Sequence, residues 1–260
     1  MAPGHVNRAD ALLLGVPGLE RPGVVHGFTT REGGVSTGPL SSLHLAQRDG
    51  EDPAHVRENW RRVATALDPR LDPSRVALLH QVHGADVVRI TDPLGPAAPV
   101  AEADASYTTE LDVILAVRVA DCVPVLVAGE GVVGAAHAGW RGVAAGVVPA
   151  LLAAMRATGA TGLSAAIGPC IHPDAFEVGP EVVEGLVRAG LPHDVIVHHV
   201  GPRGRPQVDL VACVTHQLRA AGVDAIDVVD RCTATDPRMY SHRRDGPSTG
   251  RSAGVIARIA

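Results

Sequence analysis

The chain of 260 residues contains no lysine; all 23 of its basic residues are arginine. A lysine Schiff base and a P-loop lysine are therefore excluded as mechanisms. Aromatic residues are nearly absent as well, with two Trp, two Tyr and two Phe, although hydrophobic residues make up 46% of the chain. The core must be built from Val, Ala and Leu, which favours packed strands and Ala-rich helices. The four cysteines, Cys122, Cys170, Cys213 and Cys232, form no CxxC pair. No apolar run in the chain is long enough to span a bilayer. The first twenty residues lack the basic start, apolar stretch and cleavage site of a secretory signal. A net charge of −5 leaves no basic footprint for nucleic acid. These absences predict a cytoplasmic protein with reduced thiols, with no nucleic-acid or membrane partner and no partner protein readable from the sequence.

Strand and helix patterns alternate along the chain. Residues 24–29 read as a strand, followed by a turn on Gly33-Gly34. Asp52 is placed to cap a helix with Pro53 at its first position, and Val56, Trp60, Val63 and Leu67 make its apolar stripe. Residues 76–90 read as one long or bent strand carrying His80 and His83. After a Pro-rich connection, 93–99, residues 113–128 are apolar enough for strands buried on both faces. Another strand, 132–136, ends at His137. A helix is predicted from about Arg141 to Thr158, kinked at Pro149. Gly179-Pro180 and Gly190 bracket a second helix. Asp209 and Gly222 bracket a third, with Leu210, Val211, Val214 and Leu218 inward. Residues 163–167, 195–199 and 226–229 read as strands, and an Arg-rich polar tail, 240–250, precedes a last strand at 253–259. This alternation argues for α/β layers in one domain, 1–260, with 1–20 expected to be poorly ordered.

Three ligand-type side chains sit inside or at the ends of these apolar runs: His83 in Gln81-Val82-His83-Gly84, Cys122 in Asp121-Cys122-Val123-Pro124, and His137 before Ala138-Gly139-Trp140-Arg141-Gly142. Two imidazoles and a thiolate suit zinc with a fourth position open, the catalytic arrangement. Their spacing matches no local zinc-finger pattern, so a core histidine and a small buried thiol remain the alternative reading. A second alternative pairs Cys122 with His137 as nucleophile and base. Asp121, a carboxylate in apolar surroundings, needs a partner: a ligand histidine, an arginine or a metal-bound water.

Several motifs together resemble one family. They are Thr30-Arg31-Glu32-Gly33-Gly34-Val35-Ser36, His80-Gln81-Val82-His83-Gly84, Ala103-Asp104-Ala105, Asp121-Cys122-Val123-Pro124 and His137-Ala138-Gly139-Trp140-Arg141-Gly142. Ile167-Gly168-Pro169, Phe176-Glu177-Val178-Gly179 and the tail with Ser241, Arg243, Arg244, Thr249, Gly250 and Arg251 continue the match in unbroken order. The chain is similar to the laccase-domain, or multicopper polyphenol oxidase-like, family, whose members are described as purine nucleoside phosphorylases and are also called peptidoglycan editing factors. Departures occur at Ser42-Leu43-His44-Leu45-Ala46, at Val119 and at Ser241-His242-Arg243; none touches the three ligand positions.

The resemblance implies a layered sandwich of mixed β-sheets covered by helices and a catalytic zinc on His83, Cys122 and His137. It implies phosphorolysis of adenosine, inosine and 5′-methylthioadenosine to free base and (methylthio)ribose-1-phosphate, with adenosine deamination alongside, so the partners are purine nucleosides and phosphate. A true laccase mechanism is disfavoured, because the chain has thirteen histidines but no His-x-His pair; copper taken up in vitro would give at most a weak polyphenol oxidase side activity. Phosphate calls for arginine forks, and Arg31 in the Gly-rich turn and Arg141 at a helix start are the candidates, with surface ion pairs as the alternative. Asp121 is expected to orient the site and His80 to serve as acid or base, with an outward-facing or structural histidine as the alternative for His80. Two other classes are an amidase or hydrolase editing mis-built peptidoglycan precursors such as UDP-MurNAc-dipeptide, and a non-enzymatic cell-division accessory protein.

Overall fold

The computed structural model describes residues 12–47 and 50–260. Among these the strands are β1 (Leu13–Leu14), β2 (Val24–Thr29), β3 (Val76–His80), β4 (Val87–Arg89), β5 (Pro99–Glu102), β6 (Ala105–Thr108) and β7 (Ile114–Val119). They continue as β8 (Val123–Gly129), β9 (Val132–Ala138), β10 (Ser164–Ile167), β11 (Val197–Val200), β12 (Pro206–Val208), β13 (Ile226–Val228) and β14 (Ser252–Arg258). One six-stranded sheet has the order β1-β2-β14-β7-β3-β5 and a second the order β13-β10-β8-β9-β6-β4; β11 and β12 pair separately. Both large sheets are mixed. In the first, β3 runs parallel to β7 while β14 runs antiparallel to β2 and β7; in the second, β4–β6 is parallel and β8–β9 antiparallel.

Successive side chains on a strand point to opposite faces, and that alternation builds three apolar layers. Leu115 and Val117 of β7, Leu126 and Ala128 of β8, and Ile256 of β14 belong to the core between the sheets. Their neighbours Ile114, Ala116, Val255 and Ala257 pack on the other face with Val56, Trp60 and Val63 of α1 (Pro53–Leu67). Val123, Val125 and Val127 pack instead under α2 (Trp140–Ala145), α3 (Val147–Arg156), α4 (Pro180–Arg188), α5 (His193–Ile196) and α6 (Leu210–Ala220). The central strands are thus buried on both sides, which is why their sequences read as unbroken apolar runs. The caps fall where the sequence places them: Asp52 accepts from the Ala54 N–H and Asp209 from the Ala212 N–H.

Four expectations need correction. Residues 76–90 are not one strand: β3 lies in the first sheet and β4 in the second, separated by a turn. The predicted helix after His137 breaks at Gly146, whose φ of 81° separates α2 from α3, and not at Pro149. Proline in the first turn of α3 removes no N–H that the helix would use. The strand predicted at 195–199 begins at Val197, after the short α5. Of the N-terminal segment 1–20, residues 1–11 lie outside the described residues. From Leu12 onward the chain is built in: β1 pairs with β2, and Leu12, Val16 and Leu19 are buried. Among the described residues no helix is long and apolar enough to cross a membrane.

The inter-sheet layer sets a stability expectation. Leu126→Ala, at a fully buried position between the sheets, should lower the unfolding free energy by about 2–5 kcal/mol. Val187→Ala on the exposed face of α4 should change it by no more than about 0.5 kcal/mol. Denaturant titration reads both.

Candidate active site

Two chain crossings between the sheets lie next to each other. The turn after β3 leads into the second sheet, and the turn after β7 does the same at Asp121-Cys122. The end of β9, running into α2 through Gly139, meets them there. The crossings require backbone that most residues avoid: His83 has φ 63° and Asp121 φ 91°, in the sparsely populated left-handed region. These turns bring one donor atom each of His83, Cys122 and His137 within 4.8 Å of one another. Cys122 Sγ lies 3.8 Å from His83 Nε2, and the two imidazole centroids are 4.8 Å apart. His137 is buried, Cys122 half-buried and His83 exposed, so the group has a closed side and an open one.

Asp104, fully buried between β5 and β6, organises this cluster. Its Oδ1 accepts from His137 Nδ1 at 2.7 Å and from the His83 N–H at 3.0 Å. Its Oδ2 accepts from the N–H groups of Gly84 at 2.6 Å and Val82 at 3.1 Å. The carboxylate therefore shapes the turn that presents His83 and fixes the ring of His137, leaving Nε2 as that ring's free donor position. Burial works against the Asp104 charge, but these donors, with His137 first, hold its pKa below the usual carboxylate range. Burial also opposes charge on Cys122 and His137. Their mutual attraction, reinforced by His83 and Asp104, overrides it and brings the thiol down to about 6 and the imidazole up to about 9. A thiolate and two imidazoles, one of them bound by a carboxylate, form a donor set that fits a borderline metal ion such as zinc. Gly139 closes the back of the cluster. A Cβ there would lie 2.8 Å from His83 Cδ2 and 3.1 Å from Cys122 Sγ.

The cluster opens onto a cavity of about 790 Å³. Arg118, Arg141, Arg243 and Arg251 line it, with Trp140 and Phe176 as aromatic walls. Asp121 is the only carboxylate among the described lining residues, and it is engaged elsewhere. Its Oδ1 accepts from the Thr233 hydroxyl and its Oδ2 from the Arg243 N–H, both at 2.6 Å. Burial, and then the charge of Arg251, hold Arg118 below the ordinary guanidinium range. Four arginines in a cavity poor in carboxylates attract an anionic ligand.

The sequence candidates separate on this map. His83, Cys122 and His137 meet, and His80 and Arg141 line the same cavity, with the Arg141 guanidinium 4.3 Å over the Trp140 ring. Asp121 lines the cavity, but a hydroxyl and a main-chain N–H hold its carboxylate, in place of the imidazole, guanidinium or metal-bound water expected for it. Arg31 is not among the lining residues. It lies 4.7 Å over the Tyr240 ring and its Nε donates to Ser41 O, holding the Gly-rich turn rather than a ligand. Of three further residues of the site, Arg118 carries no local pattern that marks it as functional, while Asp104 and Arg251 stand in motifs of the family resemblance with no role assigned to them. For Asp104 a signal exists all the same: the rule that a carboxylate in an apolar run must have a partner applies to it as much as to Asp121.

Asp104→Asn should therefore weaken zinc binding by about 10–100-fold, because an amide cannot accept from every donor that the carboxylate holds. Gly139→Ala should weaken it by displacing His83 and Cys122. Competition with a chromophoric chelator measures both, and unchanged affinity in both variants would contradict this picture of the site.

Residues 25–259 match the family model described as multi-copper polyphenol oxidoreductase laccase. The chain is 40% identical over 248 residues to a purine nucleoside phosphorylase of Deinococcus radiodurans, covering 93% of each. It is 38% identical over 245 residues to the purine nucleoside phosphorylase YfiH of Escherichia coli, covering 93% of this chain and 97% of that one. Among solved structures it superposes on YlmD from Geobacillus stearothermophilus with a TM-score of 0.85 at 36% identity, covering 95% of both chains. The Neisseria meningitidis protein NMB0706 gives 0.83 at 34% identity, covering 96% of this chain and 99% of that one. With a match of this length joined to this fold, the chain belongs to the multi-copper polyphenol oxidoreductase laccase family.

Proposed function

We propose that the cavity catalyses phosphorolysis of purine nucleosides, adenosine, inosine and 5′-methylthioadenosine among them, with adenosine deamination at the same place. The observation that carries this reading is the sharing of one cavity by a His/Cys/His donor cluster and four arginines. The names of the relatives support it. His83, Cys122 and His137 would hold zinc; copper would compete for the same donors in vitro. When bound, the cation supplies Lewis-acid polarisation of a substrate oxygen or nitrogen.

The chain's own residues carry the rest. Arg118 and Arg251, with Arg141, grip phosphate oxygens through their guanidinium forks. Phe176 and Trp140, with Ile171 and Leu210, offer apolar walls for a purine. A phosphate oxygen then bonds C1′ as the bond from C1′ to the base nitrogen breaks. The electron pair leaves with the purine, which takes up a proton; His80 is the candidate donor. Asp121 is a positioning residue, anchoring the tail that brings Arg243 and Arg251 to the cavity. The four free cysteines suit a reducing compartment, and we place the activity in the cytoplasm.

Product analysis of zinc-loaded protein with adenosine, with and without phosphate, tests this reading. Free base and ribose-1-phosphate should form only with phosphate, and His83→Ala should lose about 100-fold or more of the rate. Arg118→Gln should raise KM for phosphate about 10–100-fold while changing the nucleoside KM less. Phosphate-independent inosine as sole product would leave only deamination. Turnover of no purine nucleoside would overturn the proposal in favour of a hydrolase of cell-wall precursors.

A further inference from the structure

A second group of metal-binding side chains lies on the small β11–β12 sheet. His198 and His199 are adjacent in β11, and adjacent side chains on a regular strand point to opposite faces. The register with β12, however, shifts between Val197 and His199. A bulge of this kind leaves one residue unpaired and re-aims its side chain. The two imidazoles accordingly face each other, with centroids 4.9 Å apart and planes at 59°.

Asp174, in the turn Pro173–Ala175, completes the group. Its Oδ1 is 3.6 Å from His199 Nε2, too long for a hydrogen bond. It is close to the separation of about 3.4 Å that ligands of a tetrahedral zinc keep from one another. One donor atom from each of the three residues lies within 4.8 Å of the other two.

The backbone beneath is held independently of any ion. Gln207, the register partner of His199, donates from Nε2 to Asp174 O at 2.7 Å. The Val208 N–H donates to Phe176 O and the Val178 N–H to Pro206 O. Strand and turn are thereby fixed side by side before any ligand arrives, which lowers the ordering cost of binding.

We propose that His198, His199 and Asp174 form a second site, on the surface, for a late first-row divalent cation of the Zn²⁺, Ni²⁺ or Cu²⁺ class. Two imidazoles and one carboxylate suit these ions over Mg²⁺ or Ca²⁺, which take oxygen ligands. All three donors are exposed, so the site exchanges its ion readily and leaves positions open to water.

Equilibrium dialysis of the full chain against Zn²⁺ tests the proposal, with His199→Ala and Asp174→Asn alongside. Wild type should bind two equivalents. Each variant should keep the cavity equivalent and its enzymatic activity. The second equivalent should weaken by at least the roughly 10-fold that even an outer partner contributes. In a His83→Ala/Cys122→Ser background, one equivalent of Cu²⁺ should remain and show nitrogen hyperfine coupling by electron paramagnetic resonance. A single wild-type equivalent that His199→Ala leaves in place, or a second one unaffected by His199→Ala, would overturn the assignment. The surface variants decide the matter even if the cavity double variant does not fold.

Discussion

The buried carboxylate of Asp104 is the interaction on which the site depends. A lone charge inside a low-dielectric core is costly unless several donors meet it, and here four do: the His137 ring and the N–H groups of Val82, His83 and Gly84. Those donors come from two places in the chain that carry two of the three metal-ligand candidates. The main chain closes the same loop from the other side, with the His137 N–H donating to Asp104 O at 2.7 Å. Satisfying one charge therefore fixes one imidazole directly and the turn that presents the other. Cys122 is brought to them by the adjacent crossing at Asp121, whose own carboxylate is spent on Thr233 and the tail.

The sandwich makes this arrangement rigid. Both crossings between sheets start from strands with apolar faces, β3 and β7, which pair in parallel in the first sheet. Gln81 and Arg118 bond reciprocally across the two exits: Gln81 Nε2 donates to Arg118 O, and the Arg118 N–H donates to Gln81 Oε1, each at 2.8 Å. Arg118 thereby enters the cavity on a fixed backbone with its guanidinium anchored on Leu79 O. The cavity presents its charged groups before substrate arrives, the condition under which electrostatic stabilisation acts without reorganisation.

Local chemistry is legible in the sequence wherever it is local in space. The cap at Asp52, the stripe Val56-Trp60-Val63 and the bracketed helices at 180 and 210 follow from patterns spanning a few residues, and they stand in the structure. The doubly buried strands are recognisable because burial on both faces removes any alternation. Residues 76–90 look like a single strand because apolar residues stand on both sides of a short turn, whose shape is imposed by Asp104 from elsewhere in the chain. The break expected at Pro149 turns instead on a single left-handed glycine, Gly146, within an Ala- and Val-rich helical pattern. Arg118 reads as an interruption in a strand, and only tertiary structure shows that it lines a cavity together with Arg251.

The geometry of the His/Cys/His cluster rests on Asp104 holding His137 through Nδ1 and thereby leaving Nε2 for the proposed metal. Nitrogen-15 NMR of histidine-labelled protein, before and after zinc, measures this directly. The His137 Nδ1–H should stay protonated and hydrogen-bonded in both states, with Nε2 losing its proton on zinc binding and the Nδ1 signal altered in Asp104→Asn. Loss of the Nδ1 proton on zinc binding, or a His137 spectrum indifferent to Asp104→Asn, would contradict it.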